Sequence, residues 1–294
     1  MPIFGKTKLT HMKRILLLCL GLAAAMAAGA QSKIVTESIQ SQKLGAEIKY
    51  NVYVPAGYNP EQAYPVIYLL HGLYGNYANW AEQGGMKAVA DELIATGELR
   101  PAVIIMPNAG DSDVNAYQNG YFNVKDWPYE DFFFQELLPD AEGKYHCGGS
   151  KGQRAIMGLS MGGGGTIVYA QRHPDLFSSA YGMSAWLDSQ RAQPQDPAQK
   201  ESKFYLTNES VCDHSALNFM DQADEATIGA LKTVKWFLDC GDDDSLMMLS
   251  VNLYTKMRRA GLPCELRVRN GAHTWEYWHT ALRLSLPFAS RNFQ

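Results

Sequence analysis

The chain has 294 residues, 46% of them hydrophobic and 19% charged, with a formal net charge of −4. That composition is enough for a full globular core. The near-neutral balance carries no footprint of nucleic-acid binding or of attraction to an anionic membrane.

Lys6, Lys8, Lys13 and Arg14 precede an apolar run from Ile15 to Ala25, and Ala28-Gly29-Ala30 offers an A-x-A cleavage site before Gln31. Residues 1–30 therefore read as a secretory signal peptide, with an apolar run too short for a membrane span. Met12-Lys13-Arg14 provides an alternative, more compact start to Met1. Cys19 lies deep in the apolar run behind the bulky Leu18 and is read as filler, not as a lipid anchor. The expected mature protein, residues 31–294, is secreted or periplasmic and forms one catalytic domain without a further bilayer-spanning segment.

The pattern from Glu47 to Pro55 predicts a half-buried strand. Tyr64–Leu70 is almost continuously apolar, as in a strand covered on both faces, and ends at His71-Gly72. Ala78–Gly97 has helical periodicity with a glycine stop, and Ala102–Pro107 is a second buried strand. Asn108–Trp127 reads as a surface loop. Tyr129–Tyr145 is helical, with Phe132, Phe133, Leu137 and Leu138 as its apolar stripe. Strands follow at Ala155–Leu159, Phe177–Ser184, Val234–Cys240 and Glu265–Arg269. Helices are expected at Gly162–Arg172, Ser245–Ala260 and Trp275–Ser290. Such alternation of strand and helix predicts a mostly parallel sheet with helices on both faces. The polar stretch Asp188–Lys203 belongs to an excursion over roughly 186–230, an insertion too short and too weakly apolar to be a domain.

Cys147, Cys212, Cys240 and Cys264 remain after the leader. Parallel pairing of their strands would put Cys240 and Cys264 at opposite strand ends, beyond the roughly 7 Å Cα limit for a bridge. A Cys147–Cys212 pair and buried free thiols both stay open. No Cys-x-x-Cys pair indicates metal or redox chemistry, and no metal or cofactor is expected.

Between a strand and a helix lies Gly158-Leu159-Ser160-Met161-Gly162. G-x-S-x-G in this context predicts a strand-to-helix elbow with Ser160 as a nucleophile. The elbow lifts the hydroxyl from the backbone and crowds its flanks, so glycine is wanted two positions to either side. Gly163, Gly164 and Gly165 extend the run into the helix, where each costs roughly 1 kcal/mol against alanine; close approach of helix to strand is the expected return. The Met161 N–H, at the helix start, can donate to a developing oxyanion. The motif is not a phosphate loop, because no G-x-x-x-x-G-K-[ST] occurs.

A serine hydroxyl needs a base. Of seven histidines, only His273 sits in a loop directly after a predicted strand and before a helix, at the strand end where open α/β sheets bind ligands. His71 is read as a structural residue of its loop. The orienting acid should fall between nucleophile and base in the chain. Asp242, Asp243 and Asp244 all qualify, and pattern alone leaves the three open; Asp239 points elsewhere if it is still in the strand. After His71-Gly72, the N–H of Leu73 is suited to be the second oxyanion donor.

At this point the chain resembles the esterase D-like branch of the α/β-hydrolases. That branch holds feruloyl and acetylxylan esterases of the first carbohydrate esterase family, S-formylglutathione hydrolases and mycolyltransferases. The carriers are Tyr68–Leu73, Asp131–Pro139, Arg154–Gly163, His173–Phe177, Cys240–Leu246 and Gly271–Trp275. The resemblance implies an α/β-hydrolase fold and places the triad acid at Asp244, through C-G-x-x-D-x-L on Cys240, Gly241, Asp244 and Leu246. Its G-x-H-x-W pattern on Gly271, His273 and Trp275 agrees with the base. It implies a serine esterase that releases hydroxycinnamoyl (feruloyl) or acetyl groups from plant-wall polysaccharide, and the leader adds the expectation that it is secreted. Acyl transfer to a sugar or lipid, an S-formylglutathione hydrolase-like thioesterase and a non-catalytic carbohydrate-binding protein are the alternatives. Tyr74, Trp80, Tyr117, Trp186 and Trp275 are candidate pocket aromatics, since aromatic rings stack on sugars and cinnamoyl groups. The partner implied is a carbohydrate-linked ester.

Overall fold

The computed structural model describes residues 31–110, 120–191, 193 and 202–294. The leader over 1–30 and Tyr117 lie outside the described residues. The long apolar runs become strands because their backbone groups must pair where water cannot reach. They are β1 (Lys33–Gln40), β2 (Glu47–Val54), β3 (Val66–Leu70), β4 (Val103–Pro107), β7 (Arg154–Leu159), β8 (Ser179–Met183), β9 (Lys235–Gly241) and β10 (Cys264–Arg269). They form one sheet in the order β1-β2-β4-β3-β7-β8-β9-β10. From β4 to β10 every neighbour is parallel, while β2 runs antiparallel to both β1 and β4. This is the expected mostly parallel sheet, and its β3-β7-β8 centre is buried on both faces.

Successive side chains of a strand point to opposite faces, and the core divides accordingly. Val66, Tyr68 and Leu70 join one apolar cluster, Ile67 and Leu69 the other. The helix Ser160–Arg172, the 129–144 helix and the helix Met247–Arg259 cover the first face. The helix Met86–Ala95 and the C-terminal helix Trp275–Asn292 cover the second. Each fully buried large apolar side chain contributes roughly 1.5–3 kcal/mol. A buried ion pair ties the first layer to the sheet. Arg154 on β7 meets Glu142 with two bonds, 2.6 and 2.8 Å, and Tyr68 donates to the same carboxylate at 3.1 Å.

Several elements differ from their expected form. β1 was not expected, and it is an edge strand without a fully buried residue, so it leaves no apolar run to read. The single helix expected over 78–97 is two, Asn79–Glu82 and Met86–Ala95, broken at Gly85 with φ +60. The 129–144 helix widens to a π turn at Phe133–Leu137, just before Pro139, whose nitrogen cannot donate the next bond. The surface loop expected over 108–127 is partly core. Tyr121, Phe122 and Trp127 are buried, and β5 (Asn123–Val124) pairs with β6 (Trp127–Pro128). Among its described residues, the excursion between β8 and β9 contains three helices, Lys203–Asp213, Ala216–Gln222 and Glu225–Leu231. Ser202, Ser215 and Asp224 cap their first turns, and these caps are the local signal that the sequence carries for them.

Candidate active site

β7 delivers the chain to Ser160, whose φ of +54° lies in the left-handed region. An L residue there costs roughly 1–2 kcal/mol, and the return is a hydroxyl standing clear of both strand and helix. The neighbours of the elbow leave room only for glycine. A Cβ on Gly158 would lie 2.5 Å from the Gly162 carbonyl oxygen, and one on Gly162 would lie 2.4 Å from that of His71. Further along the helix, a Cβ on Gly164 would lie 2.2 Å from the Trp186 carbonyl oxygen. The glycine run thus permits the close approach expected of it.

Two further loops at the carboxyl ends of their strands complete the constellation. His273 follows β10, and its Nε2 lies 2.9 Å from Ser160 Oγ. On the other side of the ring, Nδ1 lies 2.8 Å from Asp244 Oδ2, in the loop after β9. Of the three open aspartates, Asp242 is exposed and accepts from the Gly271 N–H at 3.0 Å. Asp243 is also exposed, and its own N–H donates to the Gly271 carbonyl at 3.0 Å. Only the Asp244 carboxylate turns inward. These contacts clip the two loops together, and a Cβ on Gly241 would lie 2.1 Å from the Gly271 carbonyl oxygen. Asp239 does point elsewhere, to Arg269, Tyr181 and Tyr277.

The electrostatics favour an ionised acid beside the imidazole. Burial raises the Asp244 pKa, but hydrogen bonds from His273, the Leu246 N–H and Ser184 outweigh it, and the net shift is downward. The Leu246 N–H donates at 2.9 Å. Trp278 stands edge-on to the His273 ring at 4.8 Å and donates its indole N–H to Ser184 Oγ at 3.0 Å.

His71 is held in one tautomer. Nδ1–H donates to the Gly72 carbonyl at 2.8 Å, and Nε2 accepts from the Ala109 N–H at 3.0 Å. Burial, only partly offset by the bond to Gly72, pushes its pKa down to about 4. It is a structural histidine of the loop that brings Leu73 into the cleft. The remaining described histidines are engaged away from Ser160: His146 near Pro60, His173 near Glu130, His214 stacked on Phe122 and His279 on the Gly84 carbonyl.

Ser160 and His273 open into a cleft of about 510 Å³. Gly72, Leu73, Tyr74, Thr274, Trp275 and Trp278 are among its walls. Met161 opens the first turn of the helix, where backbone N–H groups have no intrahelical acceptor. Tyr74 is 60% exposed and Trp275 lines the same cleft. Trp80 does not reach the surface: it is fully buried, donates to the Leu70 carbonyl at 3.0 Å and supports Trp275 edge-on at 5.3 Å. Trp186 stands outside the cleft lining, stacked near Phe204. Trp278, Asn79 and Gln83 line the cleft without having been singled out from the sequence. Trp278 stands three residues after Trp275, about one helical turn on, and spacing along the helix start was the available signal. Among the described residues no cluster of His, Cys, Asp or Glu could hold a metal ion, and no helix is long and apolar enough to cross a membrane.

With this geometry in hand, the family model Esterase matches residues 41–289. A solved ferulic acid esterase is 44% identical, with a TM-score of 0.85 over 90% of this chain and 100% of its own. An endo-1,4-β-xylanase/feruloyl esterase of Xylanibacter ruminicola is 32% identical over 142 residues, 47% of this chain and 19% of that enzyme. The chain therefore spans only about a fifth of that curated relative's length. An S-formylglutathione hydrolase of Staphylococcus aureus, 20% identical, shares the fold with a TM-score of 0.71 over 89% of this chain and 100% of its own.

Proposed function

The chain belongs to the esterase family, and from that premise we propose a secreted or periplasmic serine esterase that releases hydroxycinnamoyl (feruloyl) or acetyl groups from plant-wall polysaccharide. The observation that carries the reading is the continuous relay Ser160–His273–Asp244, at 2.9 and 2.8 Å, beside an open cleft. Similarity to ferulic acid and feruloyl esterases supports the acyl group, and the basic-then-apolar leader supports export.

In the proposed reaction, Ser160 Oγ attacks the ester carbonyl carbon while His273 Nε2 takes the hydroxyl proton. The carbonyl oxygen becomes an oxyanion, received by the N–H groups of Leu73 and Met161. Collapse expels the alcohol oxygen, which takes the proton back from His273 and leaves an acyl-serine. Water, deprotonated by the same imidazole, then releases the acid and restores Ser160. Asp244 holds the Nδ1–H tautomer and balances the imidazolium. Tyr74 and Trp275 offer rings to the aromatic or sugar part of the substrate.

Methyl ferulate and p-nitrophenyl acetate test the reading. Ser160→Ala is expected to lower kcat by roughly 10⁴-fold or more while the fold is retained. Activity surviving in Ser160→Ala would reject Ser160 as nucleophile. Product analysis with a sugar acceptor present tells hydrolysis from acyl transfer.

A further inference from the structure

We infer that Asp239 is a positioning residue for His273, its buried carboxylate clamping both stems of the loop that carries the catalytic base. The inference rests on the esterase reading above. Asp239 lies inside β9 with no exposed surface. Its two oxygens accept four hydrogen bonds. Oδ1 takes Tyr277 Oη at 2.5 Å and Arg269 Nε at 3.1 Å; Oδ2 takes Tyr181 Oη at 2.9 Å and an Arg269 terminal nitrogen at 2.9 Å.

The positions of these donors give the clamp its meaning. Arg269 is the last residue of β10, and Tyr277 sits in the first turn of the C-terminal helix. His273 lies between them, in the 270–274 connection. One carboxylate therefore fixes where the loop leaves the sheet and where it enters the helix. The two stems also bind each other: the Arg269 guanidinium lies 4.1 Å from the Tyr277 ring centroid and donates to Thr280 Oγ1 at 2.9 Å. The Tyr277 ring closes over the loop, so that a Cβ on Gly271 would lie 2.6 Å from it. From the neighbouring strand, Tyr181 completes the set. The backbone carbonyl of Asp239 accepts from the Ser184 N–H at 2.7 Å, which ties the clamp to the residue that supports Asp244.

Asp239 touches neither Ser160 nor His273, so it acts through the loop. Without its charge, a guanidinium and two phenols that shared two carboxylate oxygens are left at most one neutral acceptor, and the hydrogen bonds holding Gly271 are those to the exposed Asp242 side chain and from the Asp243 N–H. The imidazole then loses the placement that keeps Nε2 near Ser160. A misplacement of about 1 Å costs on the order of 10²-fold in rate.

The test compares three variants of the full chain on p-nitrophenyl acetate and methyl ferulate. It is paired with the low-field proton resonance of the His273 Nδ1–H. Asp239→Asn keeps the shape and removes the charge. It is expected to lower kcat by on the order of 10²-fold with KM little changed, and to broaden or abolish that resonance. Tyr277→Phe deletes one bond only and should shift both readouts in the same direction to a smaller extent. Glu142→Gln breaks the buried pair with Arg154, remote from the loop. It should lower Tm while kcat per folded molecule and the resonance stay as in wild type. The inference is overturned if Asp239→Asn lowers Tm but leaves kcat and the resonance intact. Should Asp239→Asn not fold, unchanged kcat and resonance in Tyr277→Phe overturn it instead. If the wild type hydrolyses no ester, the functional reading has failed, and the resonance alone decides whether Asp239 positions His273.

Discussion

Ser160, Asp244 and His71 each hold a backbone conformation or charge state that specific neighbours fix. Ser160 keeps a positive φ that the surrounding packing enforces. Asp244 keeps its charge although no surface of its side chain is exposed, because three donors converge on it. Replacing it with Asn preserves volume but removes the charge and the preference for the Nδ1–H tautomer. Asp244→Asn should lower kcat by roughly 10⁴-fold with circular dichroism unchanged; a variant within tenfold of wild type would assign the acid elsewhere. His71 keeps a neutral ring against an unfolded pKa near 6.5. A folded pKa of about 4 means that the unfolded chain takes up a proton first as pH falls. Its stabilisation is therefore intact above about pH 6.5 and is lost as pH drops toward 4, by up to about 3 kcal/mol. Urea midpoints at pH 7.5 and 4.5 should fall more steeply for wild type than for His71→Asn. Equal slopes would show that His71 is not the group responsible.

At the scale of elements, the elbow and its helix illustrate how composition follows contact. Gly162 faces the His71 carbonyl at a separation no Cβ tolerates, whereas a Cβ on Gly143 would have no atom within 4 Å. Gly162→Ala should cost about 3 kcal/mol or more, since the helix must leave the β3 loop. Gly143→Ala, in the last turn of the helix Leu138–Lys144, should stabilise by about 0.5 kcal/mol. Thermal melts of the two variants should move in opposite directions; a tolerated Gly162→Ala would contradict the packing described. The element pattern also explains which helices and strands could be read in advance. β3 and β4 throughout, and β7 after Arg154, are apolar because both faces are covered, so each announces itself locally. β1 is half-exposed, and its partner β2 lies in the next segment of chain, so its pairing and not its composition makes it a strand. The three helices of the excursion are short and polar, with caps as their only strong signal.

At the scale of the molecule, the sheet separates two cores and gathers the loops after β3, β7, β9 and β10 at one end, where the cleft forms. The four described cysteines are all free. Cys240 and Cys264 do sit four residues out of register on parallel neighbours, since Cys264 pairs with Trp236 and Cys240 with Val268. Thiol titration of the chain from Gln31 onward, denatured without reductant, should therefore count four thiols; a count of two would mean a bridge has formed. The sequence by itself determined the elbow at Ser160, the choice of His273 and the alternation of strand and helix. Each of these is written in a few adjacent residues, where glycine spacing, apolar runs and strand ends act locally. Local spacing left three adjacent aspartates open and only the family resemblance pointed to Asp244; the tertiary structure shows why, since identical carboxylates are told apart by how the 241–244 turn packs on Gly271. It alone decided that Trp80 supports the cleft from inside while Tyr74 faces solvent. It alone assembled Asp239 with Tyr181, Arg269 and Tyr277, residues from three other elements, since the burial that makes such a cluster cohere exists only once the chain has folded.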